Sequence, residues 1–234
     1  MTPLTEARTT EEHGRWLRDA VQRLADELRR HHQPTADHSH RLADELRRHH
    51  QATADHSHRL ARASRRLCER LGLDGLEATE CELVAIFHDV GKLAVPRALL
   101  DHPGTLTPAD RAVLRGHAVA GADILARRAG LEHLAGPVRH VHERWERGGC
   151  PDGLAGEDIP LLARVVCVTD AYDAMIHDRA YRRALSRAEA RIRLALGAGH
   201  EFDPAVVRAY LEELHDQERR FGRPPVVPEP PSLV

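Results

Sequence analysis

The stretch Glu82-Leu83-Val84-Ala85-Ile86-Phe87-His88-Asp89-Val90-Gly91-Lys92 constrains this chain more than any other. An apolar run of helical character ends in an imidazole and a carboxylate side by side, and a lysine follows one turn later. Adjacent helical residues point about 100° apart, so His88 and Asp89 share one ion only if it lies in the notch between them. A divalent metal placed there needs further donors, brought in from helices distant in sequence. His56, His117, His142 and Asp170 each stand inside a helical pattern and can supply them. The competing reading, a buried His-Asp pair without metal, weakens with each added donor.

Composition removes several function classes. The 234 residues carry a formal net charge of −2, so no basic footprint marks a general nucleic-acid binder. Aromatic residues make up 3% of the chain, too few for a base-stacking platform. Cys68, Cys81, Cys150 and Cys167 lack CxxC spacing and read as reduced thiols. No apolar run approaches the ~20 residues that span a bilayer, and the first residues are polar with no signal-peptide core. The expectation is a cytoplasmic protein without membrane contact.

Residues 23–40 (RLADELRRHHQPTADHSH) recur at 41–58 (RLADELRRHHQATADHSH), with Pro34 becoming Ala52 as the one change. Eighteen residues make five turns at about 3.6 per turn, so an unbroken helix keeps its leucine face aligned, and Pro34 is expected to interrupt the first copy. Trp16, Leu17, Val21, Leu24 and Leu28 form an amphipathic stripe that Leu42 and Leu46 continue. Residues 11–50 therefore read as a helical hairpin or extended helix, suited to homodimerisation or to packing on the main domain. His31, His32, His49 and His50 read as polar-face residues of helix ends rather than as a metal site.

Further helices are expected from 56 to Gly72 and from a Thr79/Glu82 capping box into His88-Asp89. Others follow Thr107-Pro108 toward Gly116-His117, cover 137–145, and run from Pro160 to Asp178. The last two follow a Ser186/Glu189 box and Asp203-Pro204. Asp170, Asp173 and His177 share a face, on which Asp173 reads as structural. Arg147 to Gly156, rich in glycine and holding Pro151, reads as an ordered loop and candidate substrate lid. No stretch alternates with period two, so the class is all-α. The organisation expected is a helical extension over 1–52, a main domain over 53–221 and a proline-rich, extended or disordered tail over 222–234.

An ordered set of motifs now stands out. It comprises His56-Ser57-x-Arg59, His88-Asp89-x-Gly91-Lys92, Gly116-His117, His142-Glu143-Arg144-Trp145, Gly149-Cys150-Pro151-x-Gly153-Leu154, Asp170-x-x-Asp173-Ala174, Asp178-Arg179-x-Tyr181-Arg182 and Phe202-Asp203-Pro204. Over residues 53–214 this set resembles the HD-GYP subgroup of HD-domain phosphohydrolases. The resemblance implies an HD-domain helical bundle holding two, sometimes three, divalent ions, iron or manganese first, with zinc or nickel as alternatives. It implies hydrolysis of a cyclic dinucleotide such as the bacterial second messenger cyclic di-GMP to a linear product. Carried over by position, His56, His88, Asp89 and Asp170 would hold the first metal, with Asp89 bridging, and His117 and His142 the second. Lys92 would neutralise the phosphate, and Arg179 and Arg182 would grip the nucleotide's phosphates.

The residue types suit that chemistry. Two cations clamped by a bridging carboxylate can share a hydroxide, lowering the pKa of bound water enough for attack near neutral pH. Positioning and charge stabilisation carry such a reaction without a side-chain nucleophile. Mixed His and carboxylate ligation suits iron, manganese or zinc better than magnesium or calcium. Two positions depart from the family. The His-His pair before Glu-Arg-Trp is here Val141-His142, which removes a second-site donor, and His140 would face about 100° away on a helix. Gly-Tyr-Pro is here Gly149-Cys150-Pro151, which bears on cyclic di-GMP preference and partner docking. The leading expectation is a metal-dependent cyclic dinucleotide phosphodiesterase. The alternatives are a one-metal nucleotide phosphohydrolase and a module that binds nucleotide or partner without turnover.

Overall fold

A computed structural model of the protein describes residues 33–102, 104–178 and 183–221. Trp16, Leu17, Val21, Leu24, Leu28, His31, His32, Arg179, Arg182 and the tail from 222 lie outside them. Helices α1 (Gln33–His49) and α2 (Gln51–Arg70) are separated by one extended residue, His50, at φ −154° and ψ 99°. His50 caps α2 by accepting from Thr53 N at 3.2 Å, and its Nε2 stands 3.1 Å from Asp101. A break thus falls at His50, and the interruption expected at Pro34 turns on residues before Gln33, outside the described residues. Pro34 stands in the first turn of α1, where a missing N–H leaves no ladder bond unmade, and α1 runs through the junction of the two copies.

The core is helix on helix. Leu42 and Leu46 bury α1 on the domain, and α2 contributes Leu60, Ala61, Leu67 and Cys68. Helix α3 (Gly75–Phe87) is buried almost all round from Ala78 onward, which marks it as the central element. Each fully buried leucine or phenylalanine there stabilises the fold by about 1.5–3 kcal/mol. The capping box opening α3 is Asp74 with Glu77, a turn earlier than the Thr79/Glu82 pair expected. Thr79 Oγ1 instead donates to Gly75 O, and Glu82 is buried against Arg65 at 3.1 Å. The left-handed Gly72 (φ +82°) ends α2 so sharply that α3 restarts at once.

Beyond α3 come a 3-10 turn (Val90–Ala94), α4 (Arg97–Leu100), α5 (Pro108–Arg115) and α6 (His117–Ala126). Thr107 caps α5, as the sequence suggests, and Asp110 completes a capping box with it. A 3-10 turn (Glu132–Leu134) leads into α7 (Ala135–Arg139), which stops well short of the helix expected over 137–145. Helix α8 (Leu161–Ile176) packs on α2, α3 and α7, and α9 (Arg187–Gly197) and α10 (Pro204–Phe221) close the bundle. Ser186 with Glu189 boxes α9, and Asp203 Oδ1 accepts from Ala205 N and Val206 N to start α10. Among the described residues there is no strand, only a parallel bridge between Ala198 and Phe202, and no helix is long and apolar enough to cross a membrane.

Candidate metal centre

His88 caps the C-terminus of α3 and gives its Nδ1–H to Ala85 O at 2.9 Å. With Nδ1 so engaged, His88 turns its Nε2 toward Asp89 Oδ2, 3.3 Å away. From α2, His56 Nε2 reaches Asp170 Oδ1 of α8 at 2.9 Å. Donor atoms of His56, His88 and Asp170 all lie within 4.8 Å of one another. The group runs from buried to partly exposed, since the side chain of His88 is 1% exposed and that of Asp170 23%. Burial alone would lower His56, but hydrogen bonds to Asp170 and Asp173 outweigh it and raise the imidazole to about 9. Burial would likewise raise Asp170, yet the bond from His56 and the nearby His88 hold it well below the usual carboxylate range.

Asp89 is the hub. Its Oδ2 stands 2.6 Å from Lys92 Nζ and its Oδ1 3.3 Å from His117 Nε2, so its two oxygens face two different groups of donors. Burial would raise this carboxyl, but the charges of His88 and Lys92 hold it far below its ordinary value. The spacing is set by backbone contact. A Cβ on Gly91 would sit 1.8 Å from His117 O and 2.5 Å from Gly121 N, so only glycine lets the turn after Asp89 dock on the first turn of α6.

His117 gives its Nδ1–H to Leu114 O, which leaves its Nε2 to accept. His142 Nε2 lies 3.0 Å from it, with ring centroids 4.9 Å apart. Burial lowers both imidazoles, His142 to about 4 with the neighbouring His117 as the next cause. His142 stands in a turn, where the helix was expected to continue, because its backbone is claimed by the glycine-rich loop. Cys150 N donates to His142 O at 3.2 Å, and Glu143 Oε1 accepts from Asp152 N at 2.7 Å and Gly153 N at 3.0 Å. Gly149 comes so close that a Cβ would meet Glu143 Cα at 2.4 Å. Val141 is fully buried in the hydrophobic core, and His140 turns to Asp152 at 2.9 Å.

These residues fit a divalent transition metal. The Nε2 atoms of His56, His88 and His117 face carboxylate oxygens of Asp170 and Asp89, where a divalent cation could take the place of a shared proton, and the mixed nitrogen and oxygen set is of the borderline kind. Three of the rings have their Nδ1 committed elsewhere, His56 to Asp173, His88 to Ala85 O and His117 to Leu114 O. That commitment is the usual way a protein aims Nε2 at a metal. Of the site residues expected from sequence, His56, His88, Asp89, Lys92, His117, His142 and Asp170 come together, while Arg179 and Arg182 lie outside the described residues. The sequence motifs contain Asp173 and Arg59 but not their pairing, because the bonds that join them to each other and to His56 span 114 and 117 residues.

Comparison with known proteins agrees with this picture. The family profile described as HD domain matches residues 40–206. The cyclic di-GMP phosphodiesterase PA4108 of Pseudomonas aeruginosa is 41% identical over 147 residues, 62% of this chain and 35% of that protein. The 3'3'-cGAMP-specific phosphodiesterase 2 of Vibrio cholerae is 34% identical over 151 residues, 62% of this chain and 29% of that one. The chain spans about a third of the length of the curated relatives it matches. The HD domain of L. monocytogenes phosphodiesterase PgpH, solved in complex with cyclic-di-AMP, superposes with a TM-score of 0.58 at 14% identity, over 79% of this chain and 99% of that one. That likeness speaks to the fold alone.

Proposed function

The chain belongs to the HD-domain family, and from that premise we propose that it is a cytoplasmic metal-dependent phosphodiesterase that opens a cyclic dinucleotide of the cyclic di-GMP kind to a linear product. The observation that carries the reading is Asp89, one carboxylate with an oxygen toward Lys92 and His88 and the other toward His117. A carboxylate so placed is built to be shared. His56, His88 and Asp170 would hold one ion with it, and His117 and His142 would hold a second. Divalent ions bound there, iron or manganese, supply a water of lowered pKa and polarise the phosphodiester oxygens. The chain's own residues do the rest. Lys92, with its side chain 25% exposed, keeps its ammonium at the lip of the site, balanced by Asp89 and able to neutralise a non-bridging phosphate oxygen. The buried imidazoles of His117 and His142 stay unprotonated and so keep their lone pairs for ligation. Arg179 and Arg182 take the nucleotide's phosphates.

The substrate class draws support from relatives named for cyclic di-GMP and for 3'3'-cGAMP. The test is to incubate the metal-loaded protein with cyclic di-GMP, 3'3'-cGAMP and cyclic di-AMP. Linear product absent from a His88→Ala/Asp89→Ala control is the expected result, and no product above that control from any of them refutes the proposal. A second reading, one ion per chain with phosphate released from mononucleotides, is favoured by Val141, which brings no donor to the His117–His142 pair. Elemental analysis giving close to one ion per chain would select it.

A further inference from the structure

We propose that Asp173, braced by Arg59, is the positioning residue that aims His56 at the metal, an assignment that rests on the metal-centre reading above. Asp170 and Asp173 lie one turn apart on the same face of α8, and both reach His56. Their contacts differ in kind. Asp170 Oδ1 meets the Nε2 edge of the ring at 2.9 Å, the edge that converges with His88. Asp173 Oδ2 accepts from Nδ1 at 2.7 Å, behind the ring. With Nδ1–H given to Asp173, Nε2 is the nitrogen His56 can turn to a cation.

Arg59 decides which carboxylate does which job. It sits one turn after His56 on α2, and its Nε and Nη2 each donate to a different oxygen of Asp173 at 3.0 Å. That planar fork claims both oxygens and fixes the plane of the carboxylate. Nη1 of the same guanidinium donates to Asp55 O at 3.3 Å, which ties the fork to its own helix. Asp173 also faces His177, whose Nδ1 lies 3.2 Å from Oδ1. Asp173 is buried, its side chain 11% exposed, and it stands behind the His56 ring, on the side away from His88 and Asp170. Asp170 has no such fork and remains available as a ligand. A carboxylate behind a ligating imidazole fixes its tautomer and raises its basicity, and losing such a partner typically costs about 10–100-fold in metal affinity.

The experiment measures Mn2+ and Zn2+ dissociation constants by competition with a chromophoric chelator, alongside far-UV circular dichroism and melting of the metal-free protein. Asp173→Ala is expected to weaken the tighter ion by about 10–100-fold, with unchanged helical content. Asp173→Asn should recover part of that loss, since its amide oxygen still accepts from Nδ1–H. Arg59→Ala should weaken binding by a smaller factor, because the bond from His56 to Asp173 survives without its brace. If Asp173→Ala fails to fold, the Asn and Arg59 variants carry the test alone. Folded variants that bind within about twofold of the parent overturn the role of Asp173. A parent chain that binds neither ion overturns the metal-centre reading instead.

Discussion

The two groups of donors on either side of Asp89 place the same side chain in opposite electrostatic settings. Around His56 stand two carboxylates, Asp170 and Asp173, and the imidazole is lifted to about 9. Around His142 stand another imidazole and a buried valine neighbour, and the ring falls to about 4. Burial lowers both rings, so the difference comes from what each is buried beside. The lesson is that counting histidines does not rank metal sites. Under the proposed function the group with more negative charge would grip a divalent ion harder once His56 gives up its proton, and the paired neutral rings would hold an ion weakly, leaning on Asp89.

Breaking that shared carboxylate should have the largest effect. Asp89→Asn is expected to cut hydrolysis of cyclic di-GMP by more than about 100-fold, above the range seen for residues that only support a ligand, as read by product formation at saturating metal. His56→Ala should remove the tighter ion and His142→Ala only the weaker one, and titration calorimetry with Mn2+ would show it. The reverse order would break the comparison. Gly91→Ala forces a Cβ to within 1.8 Å of His117 O, and should destabilise the fold by roughly 1–3 kcal/mol, a fall in melting temperature of roughly 2–12 °C. Because it separates Asp89 from His117, the second ion should be lost before the first. Val141→His sharpens the contrast from the other side. It should raise affinity for the second ion about tenfold, whereas a lower melting temperature without added affinity would show that the position serves packing alone.

The smallest effect is on pH dependence after metal has been stripped by chelator. His142 is depressed from 6.5 to about 4, so the unfolded chain binds more protons in that window and stability falls as pH drops through it. His56 is raised from 6.5 to about 9, so its contribution is complete below 6.5 and is lost as pH climbs to 9. His142→Gln should flatten the acid limb of a urea-midpoint profile and His56→Gln the alkaline limb. Identical profiles for both variants would remove the electrical contrast.

Much of this was readable from residues. The His88-Asp89 step, its distant donors, the cap at Thr107, the box at Ser186 and the Asp203 start of α10 all appear where local patterns put them. Two sites did not obey local pattern. Asp74-Glu77 and Thr79-Glu82 both fit a capping box, and the choice between them was made by Gly72, which ends α2 early. The turn at His142 replaces a helix because Glu143, Gly149 and Cys150 tie it to a loop whose own sequence carries no period. The role of Asp173, expected to be structural, depends on His56 and Arg59, which lie 117 and 114 residues away. No spacing rule reaches that far.

The appended repeat carries one more consequence. Eighteen residues would be five whole turns only in an unbroken helix, and the extended His50 breaks the second copy before α2 restarts at Gln51. The ion-binding face of α2 therefore takes its bearing from core packing and the His50 cap, not from the rotational phase of the helix ahead of it, and the seat that Leu42 and Leu46 give α1 is a separate docking, like a handle pinned to a blade rather than forged with it.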